Sequence, residues 1–263
     1  NVLEQCQYDC NYCKPGTMAR AIPRHQRLTV DEYARLAKQF DRLGIDKVRF
    51  TGGEPLLRPE ILDIVSAFRD NIPKVKLALT TNGQKLPSLI EPLAERGLSG
   101  ITVHIDSLKP ERYRRLMGPG DVGEVIQTVL RAQERIETVK LNVVVQRAQN
   151  DDELNDFLDW SKQTGIEVRF IELMNTGSAM PYTKQCFISG REIIQTVEAK
   201  RQTRRLPRRS ADDPAALFET SDGVIFGLIA SDTEPFCSAC TRLRLSPDGR
   251  LRGCLYEAGG APL

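Results

Sequence analysis

From residue 47 to residue 172 the chain alternates short β-prone runs with stretches of helical spacing, and this rhythm restricts the fold more than any other feature. Strands are expected over 47–50, 75–80, 101–105, 139–145 and 166–172, and residues 1–4 read as the stump of an earlier one. A helix starts at Thr29, whose hydroxyl and Glu32 form a capping box, and ends at Gly44. Further helices are expected over 59–70, 87–96, 110–116, 121–136 and 151–164. Strict alternation implies parallel strands joined by right-handed crossovers. Six such units suit an α/β fold of one kind, an incomplete, laterally open (β/α)6 TIM-type barrel. In barrels of this kind chemistry gathers at the C-terminal ends of the strands.

After Met174 the rhythm changes. A helix is expected over 190–200, followed by a basic run from Lys200 to Arg209, read as a solvated loop, and then Asp212-Asp213-Pro214. Short strands follow at 218–220, 224–229, 242–245 and 251–255. Two domains are therefore expected. Residues 1–172 form the partial barrel, and residues 173–263 form a C-terminal region with a small antiparallel α+β appendix.

The cysteines carry the first chemical signal. Cys6, Cys10 and Cys13 have C-x3-C-x2-C spacing in one short loop. Three thiolates suit a four-iron cubane whose fourth iron has no protein ligand and stays open to substrate. A zinc site short of its fourth ligand, or disulfides, are the alternatives, and tetrahedral structural zinc takes four ligands. Cys237, Cys240 and Cys254 form a second triplet, which alone reads equally as a zinc ribbon lacking a ligand or as a second open-iron cluster. Beside the first triplet the cluster reading is favoured. The remaining Cys186 reads as a small buried residue.

Other signals sit at the strand ends and inside the strands. Gly52-Gly53 would let backbone approach a ligand, and Glu54 could accept a hydrogen bond from an ammonium group. Thr81-Asn82-Gly83 and Asp106 fall on the same C-terminal edge. Parallel strands are usually near-continuous apolar runs, yet Arg49, Lys140 and Arg169 interrupt three of them. Buried charges must pair, reach solvent or meet an anion. Arg242 and Arg244 lie on one face of an expected strand. Together these cations favour a polyanion such as a nucleoside triphosphate in the lumen.

Composition narrows the setting. The 263 residues are 40% hydrophobic and carry a net charge of only +2, which by itself argues for neither nucleic acid nor membrane. No run is long enough to span a bilayer and no signal peptide is visible. Seven cysteines in two triplets and a singlet do not make a secreted disulfide framework, so a reducing cytoplasm is expected. The chain opens at Asn1 without an initiator Met, so an incomplete N-terminus is expected.

These motifs resemble the GTP 3',8-cyclase family of radical S-adenosylmethionine (SAM) enzymes, which serves molybdenum cofactor (molybdopterin) biosynthesis. The resemblance covers nearly the whole chain. It rests on the first cysteine loop with Tyr12, Lys-Val-Arg-Phe-Thr-Gly-Gly-Glu-Pro at 47–55, Thr-Thr-Asn-Gly at 80–83, Val-Arg-Phe-Ile-Glu-Leu-Met at 168–174, and Cys-x2-Cys-Thr-Arg-Leu-Arg-Leu with Cys254. It implies two [4Fe–4S] clusters, held by Cys6, Cys10 and Cys13 and by Cys237, Cys240 and Cys254. SAM would meet Tyr12, Gly53, Glu54, Met174 and His104, which stands where the family pattern has serine. GTP would meet Arg49, Thr80, Lys140, Arg169 and the segment Arg242, Leu243 and Arg244, with its guanine on the second cluster. The implied reaction is a lyase-type cyclisation of GTP to 3',8-cyclo-7,8-dihydro-GTP. Implied partners are a reductant protein of flavodoxin or ferredoxin type, a downstream cyclic pyranopterin monophosphate synthase and a homodimer mate, with no nucleic acid and no membrane. The family's glycine tail is not assigned to Gly259-Gly260.

Two rivals stand. One is another radical SAM enzyme with an auxiliary cluster, modifying a peptide or nucleotide. The other is a zinc-binding nucleic-acid module using the basic run at 200–209.

Overall fold

The computed structural model describes residues 1–13, 22–174, 184–210, 213–257 and 259–263. Asp212 of the expected acidic turn lies outside the described residues.

The expected rhythm is present. Strand β1 (Lys47–Phe50) follows helix α1 (Val30–Arg42). Then come α2 (Ile61–Asn71), β2 (Lys76–Thr81), α3 (Ile90–Glu95) and β3 (Leu98–His104). Helices α4 (Pro110–Met117) and α5 (Val122–Ala132) lead to β4 (Thr138–Val145), and α6 (Leu154–Thr164) leads to β5 (Glu167–Glu172). The Thr29 capping box forms, and Gly165 ends α6 in the left-handed conformation that glycine tolerates.

Strands β1 to β5 pair in sequence order, all parallel. The stump at 1–4 contributes a single parallel bridge, Leu3 to Gly52. Beyond β5 the order departs from expectation. After α7 (Gly190–Glu198) come β6 (Thr203–Leu206), β7 (Ala216–Thr220) and β8 (Ile225–Ile229). Strand β8 pairs parallel with β5, and β7 and β6 continue antiparallel, so one eight-stranded sheet has the order β1-β2-β3-β4-β5-β8-β7-β6. The strands expected at 218–220 and 224–229 thus belong to the main sheet. The small antiparallel sheet contains only β9 (Arg244–Leu245), β10 (Arg250–Arg252) and β11 (Ala261–Pro262).

The basic run is also different from a solvated loop. It contains β6, and its arginines find carboxylates: Arg201 pairs with Asp159 and Asp222, Arg204 with Glu219, Arg205 with Glu234, and Arg209 with Glu167. A run of like charge is stable in a sheet when neighbouring strands supply the opposite sign.

The strands are two-faced rather than uniformly apolar. Leu77 and Leu79, Ile101 and Val103, Leu141 and Val143, and Val168 and Phe170 are buried in the core. The alternate residues form the other face, which by cross-strand register carries Arg49, Thr80, Thr102, Lys140, Glu167 and Arg169. The interrupting cations are therefore members of a polar face.

The C-terminal segment reaches from one side of this sheet to the other. Strand β8 lies against β5, whereas Leu245 and Pro247 accept hydrogen bonds from Asn1 and Leu28 at the β1 side. Glu172, fully buried at the end of β5, accepts from the backbone N–H groups of Gly190, Asp232 and Thr233, which pins the start of that segment.

Candidate active site

The first cysteine loop sits at the C-terminal edge of the parallel strands, held from two sides. On one side Gly53 N donates to Leu3 O and Glu54 N to Gln5 O, each at 2.8 Å. A Cβ on Gly52 would lie 2.0 Å from Leu3 O, and one on Gly53 would lie 2.4 Å from the carbonyl oxygens of Glu4 and Gln5. The two glycines thus let the chain before Cys6 approach, a reason not visible in the motif itself. On the other side Asp9 N and Asn11 N donate to Met117 O and Leu116 O at the end of α4.

Glu54 is buried and its carboxylate is already engaged. Oε1 accepts from Leu56 N at 3.0 Å and Thr81 Oγ1 at 2.8 Å, and Oε2 accepts from Asn82 N at 2.8 Å. Burial pushes its pKa up against these bonds. Its visible role is to tie the Gly-Gly turn to the end of β2. Asn82 in turn reaches Cys6 Sγ at 3.7 Å.

Tyr12, between Cys10 and Cys13, points into the end of β3. Its hydroxyl donates to Asp106 Oδ2 at 2.9 Å and also meets His104 Nε2, which lies 3.1 Å from Asp106 Oδ1. Val144 N donates to Asp106 Oδ1 at 2.8 Å. Burial lowers the pKa of His104, but the Asp106 charge and hydrogen bond outweigh it, and the net direction is upward. His104 therefore fills its place with a local hydrogen-bonded cluster. Met174 is half-buried just beyond β5.

The half-buried thiols of Cys6 and Cys10 are pushed up in pKa chiefly by burial, and Cys10 further by Asp106, Cys13 and Cys6. Such thiols become thiolates when a metal supplies the compensating charge. Among the described residues no three Cys, His, Asp or Glu side chains are gathered as for a metal ion. By donor type alone, three cysteines in this spacing suit an open-iron cluster.

In the second triplet Cys237 and Cys240 flank a single 3-10 turn, and all three cysteines are exposed. Tyr256 donates to Asp232 Oδ1 at 3.0 Å. Its pKa is pushed up to about 12 by burial, that bond, and the nearby Cys254 and Cys237. By donor type this triplet suits the same kind of group as the first.

The cations divide into two kinds. Arg49 reaches across β2, where Ala78 and Gly100 leave room, and donates to Thr80 Oγ1 at 3.1 Å and Thr102 Oγ1 at 3.0 Å. Among the described residues no carboxylate lies within ion-pair distance of it. Although the residue is exposed, local desolvation of its guanidinium, then the charges of Arg169 and Arg242, lower its pKa to about 10 against the opposing charge of Asp213. Lys140 and Arg169, by contrast, are paired: Glu167 lies 3.3 Å from Lys140 and 2.6 Å from Arg169, and Asp213 accepts both Nη groups of Arg169. Gly227, in register with Arg169, leaves space for its side chain, since a Cβ there would lie 2.9 Å from Arg169 Cγ. Arg242 stacks on Phe236 at 5.0 Å and acts electrostatically on Arg49, so the C-terminal segment brings it to the same region. Arg244 lies in β9, half-buried, and Leu243 beside it is exposed. Thr102, Glu167, Asp213 and Arg209 also belong to this region, and the basic run and acidic turn that hold Arg209 and Asp213 carry no sequence sign of this site. The one local signal was Glu167 sharing a strand face with Arg169 two residues on.

Comparison with known proteins follows this division. The radical SAM superfamily matches residues 1–161, and a family described as Molybdenum Cofactor Synthesis C matches residues 166–263. GTP 3',8-cyclase of Aquifex aeolicus (strain VF5) is 38% identical over 266 residues, covering 100% of this chain and 82% of that protein. GTP 3',8-cyclase 1 of Mycobacterium tuberculosis (strain ATCC 25618 / H37Rv) is 35% identical over 269 residues, covering 100% and 75%. Among solved structures, Streptococcus suis SuiB bound to precursor peptide SuiA aligns with a TM-score of 0.73 at 16% identity, covering 97% of this chain and 58% of that one. Native anSMEcpe with bound AdoMet aligns with a TM-score of 0.53 at 18% identity, covering 66% and 50%. At these identities the two structures speak to fold alone.

Proposed function

This chain belongs to the radical SAM superfamily and, within it, to the GTP 3',8-cyclases, and from that membership we propose that it converts GTP to 3',8-cyclo-7,8-dihydro-GTP. The observation that carries the reading is the polar face. One end of it meets the first cysteine loop, and along it runs a set of cations in which Arg49 has no carboxylate partner among the described residues. Arg49 is exposed and, among the described residues, held only by backbone and threonine oxygens, so its guanidinium has donors to offer an incoming polyanion.

In this reading Cys6, Cys10 and Cys13 hold a [4Fe–4S] cluster, and Cys237, Cys240 and Cys254 hold a second. With SAM bound, such a cluster would supply the electron that opens radical chemistry at the SAM 5' carbon, and the chain's residues would hold ribose C3' and guanine C8 of GTP within its reach. The protein's own part is positioning. The Gly52–Gly53 strip and Tyr12 fix the cysteine loop, with Asp106 and His104 fixing Tyr12. Gly53, His104 and Met174 border the SAM site, and Glu54 positions it from behind. Arg49, Thr80, Lys140, Arg169, Arg242 and Arg244 neutralise the triphosphate, with Leu243 between the last two. The second triplet orients the base. Register supports one ligand serving both ends: Asn142 beside His104 and Lys140 beside Thr102 are one pleat apart, about 7 Å along the strand.

We read residues 1–172 as a laterally open partial barrel and residues 173–263 as the region that supplies the second cluster and closes over GTP. No helix among the described residues is long and apolar enough to cross a membrane, and a reducing cytoplasm suits seven free cysteines. A reductant protein, a synthase consuming the product and a homodimer mate complete the proposal. The test is anaerobic incubation of the reconstituted protein with dithionite, SAM and GTP. 5'-Deoxyadenosine should form in a GTP-dependent manner, and its formation with a peptide but not with GTP would overturn the assignment.

A further inference from the structure

Glu167 is unusual in how many cations share it. With its side chain 12% exposed, it lies 3.3 Å from Lys140 Nζ, 2.6 Å from Arg169 Nε and 2.5 Å from Arg209 Nη1. Asp213 adds a two-pronged contact with Arg169, its oxygens 3.1 and 3.2 Å from the two Nη atoms. Arg209 and Asp213 come from the connection between β6 and β7, whereas Lys140 and Glu167 are register partners on β4 and β5. A cavity of about 390 Å³ adjoins them at the start of these strands, with Lys140, Glu167 and Arg209 in its wall.

Three cations, Lys140, Arg169 and Arg209, share two carboxylates, Glu167 and Asp213, which leaves one positive charge in excess. Lys140 and Arg209 each have hydrogen-bond donors beyond those one carboxylate can use. An anion entering the cavity must compete with Glu167 and Asp213 for these cations. A single phosphate gains little by such an exchange. A polyphosphate chain, with several charges on closely spaced oxygens, can hold all three cations at once.

We propose that Arg209 is a further substrate-binding residue. Glu167 and Asp213 set the charge selectivity of the site, holding Lys140, Arg169 and Arg209 until a polyphosphate chain takes their place. This rests on the GTP reading of the same face. It adds to that reading a residue, a competing pair of carboxylates and a preference for polyphosphate over monophosphate.

Isothermal titration of the full chain with inorganic tripolyphosphate, GTP and GMP tests it, in wild type, Arg209→Gln and Glu167→Gln. Arg209 is half-exposed, so its variant should fold, and thermal unfolding without ligand checks this for both. Arg209→Gln should weaken tripolyphosphate and GTP binding about tenfold while changing GMP binding less than about twofold. Glu167→Gln should tighten tripolyphosphate binding about fivefold, because a competitor is gone. Unchanged tripolyphosphate binding in Arg209→Gln, or weakened binding in Glu167→Gln, overturns the proposal. Tripolyphosphate decides the matter whatever the nucleoside. A wild type that binds it without favouring GTP over other triphosphates contradicts the GTP reading alone.

Discussion

Tyr12 donates a hydrogen bond to Asp106 across 2.9 Å, joining the middle of the first cysteine loop to the end of β3. Asp106 is fully buried and holds Val144 N as well, so the carboxylate is a fixed post for a loop with little regular structure. Removing the hydroxyl strips a buried carboxylate of a donor, which costs about 1–3 kcal/mol. Tyr12→Phe should lose stability in that range in urea unfolding of the apoprotein. An unchanged midpoint would show that the loop is held by its backbone bonds alone.

Gly53 meets two backbone carbonyl oxygens at once beside the first cysteine loop. An added Cβ would lie 2.4 Å from two carbonyl oxygens, and neither can move without displacing the segment that leads into Cys6. Gly53→Ala should lower stability by about 3 kcal/mol or more and reduce iron incorporation at the first triplet. Full iron content and an unchanged unfolding curve would refute the close-approach account.

Arg49 offers a test that separates stability from binding. The residue is exposed, and its guanidinium lies near Arg169 and Arg242, with Asp213 as the opposing charge. Arg49→Met removes the charge and its bonds to Thr80 and Thr102 while filling similar space. The melting temperature should change little, as for an exposed position, and GTP affinity should fall about tenfold or more. A large loss of melting temperature with unchanged GTP affinity would make Arg49 a structural residue.

Glu192 gives a pH dependence with a definite sign. The Ser189 hydroxyl, Arg147 and the Ser189 backbone N–H lower its pKa from 4.5 to about 2. A carboxylate depressed on folding contributes stability that is present above its unfolded pKa and is lost as pH falls through the folded one. Its side chain is 42% exposed, so solvent screening limits the contribution to about 1 kcal/mol. Glu192→Gln should be less stable than wild type near pH 7, and the gap should close as pH falls from 4.5 towards 2. Denaturant unfolding across that range measures it, and a gap constant with pH would point to packing instead.

Local signals carried much of this architecture. The Thr29 cap, the alternation from β1 to β5 and both cysteine triplets are written in short stretches of sequence. What stayed hidden depends on distant partners. Strand β8 reads as an ordinary hairpin strand, and only pairing with β5 makes it part of the main sheet. For Arg169 the sequence leaves pairing, solvent and an anion all open, because Asp213 meets it from the far end of a long connection. Gly52 and Gly53 suggested a ligand, but the close neighbour is Leu3–Gln5 of the same chain. The basic run suggested a solvated loop, because the carboxylates that neutralise it, Asp159, Glu219, Glu234 and Glu167, lie on other elements.

The central claim is that the polar face presents ribose C3' of GTP to a radical formed beside Cys6, Cys10 and Cys13. GTP deuterated at C3', supplied with SAM and reductant to the reconstituted protein without oxygen, tests it most directly. Mass spectrometry should find one deuterium transferred into 5'-deoxyadenosine. 5'-Deoxyadenosine formed in the presence of this GTP but free of deuterium would contradict the account.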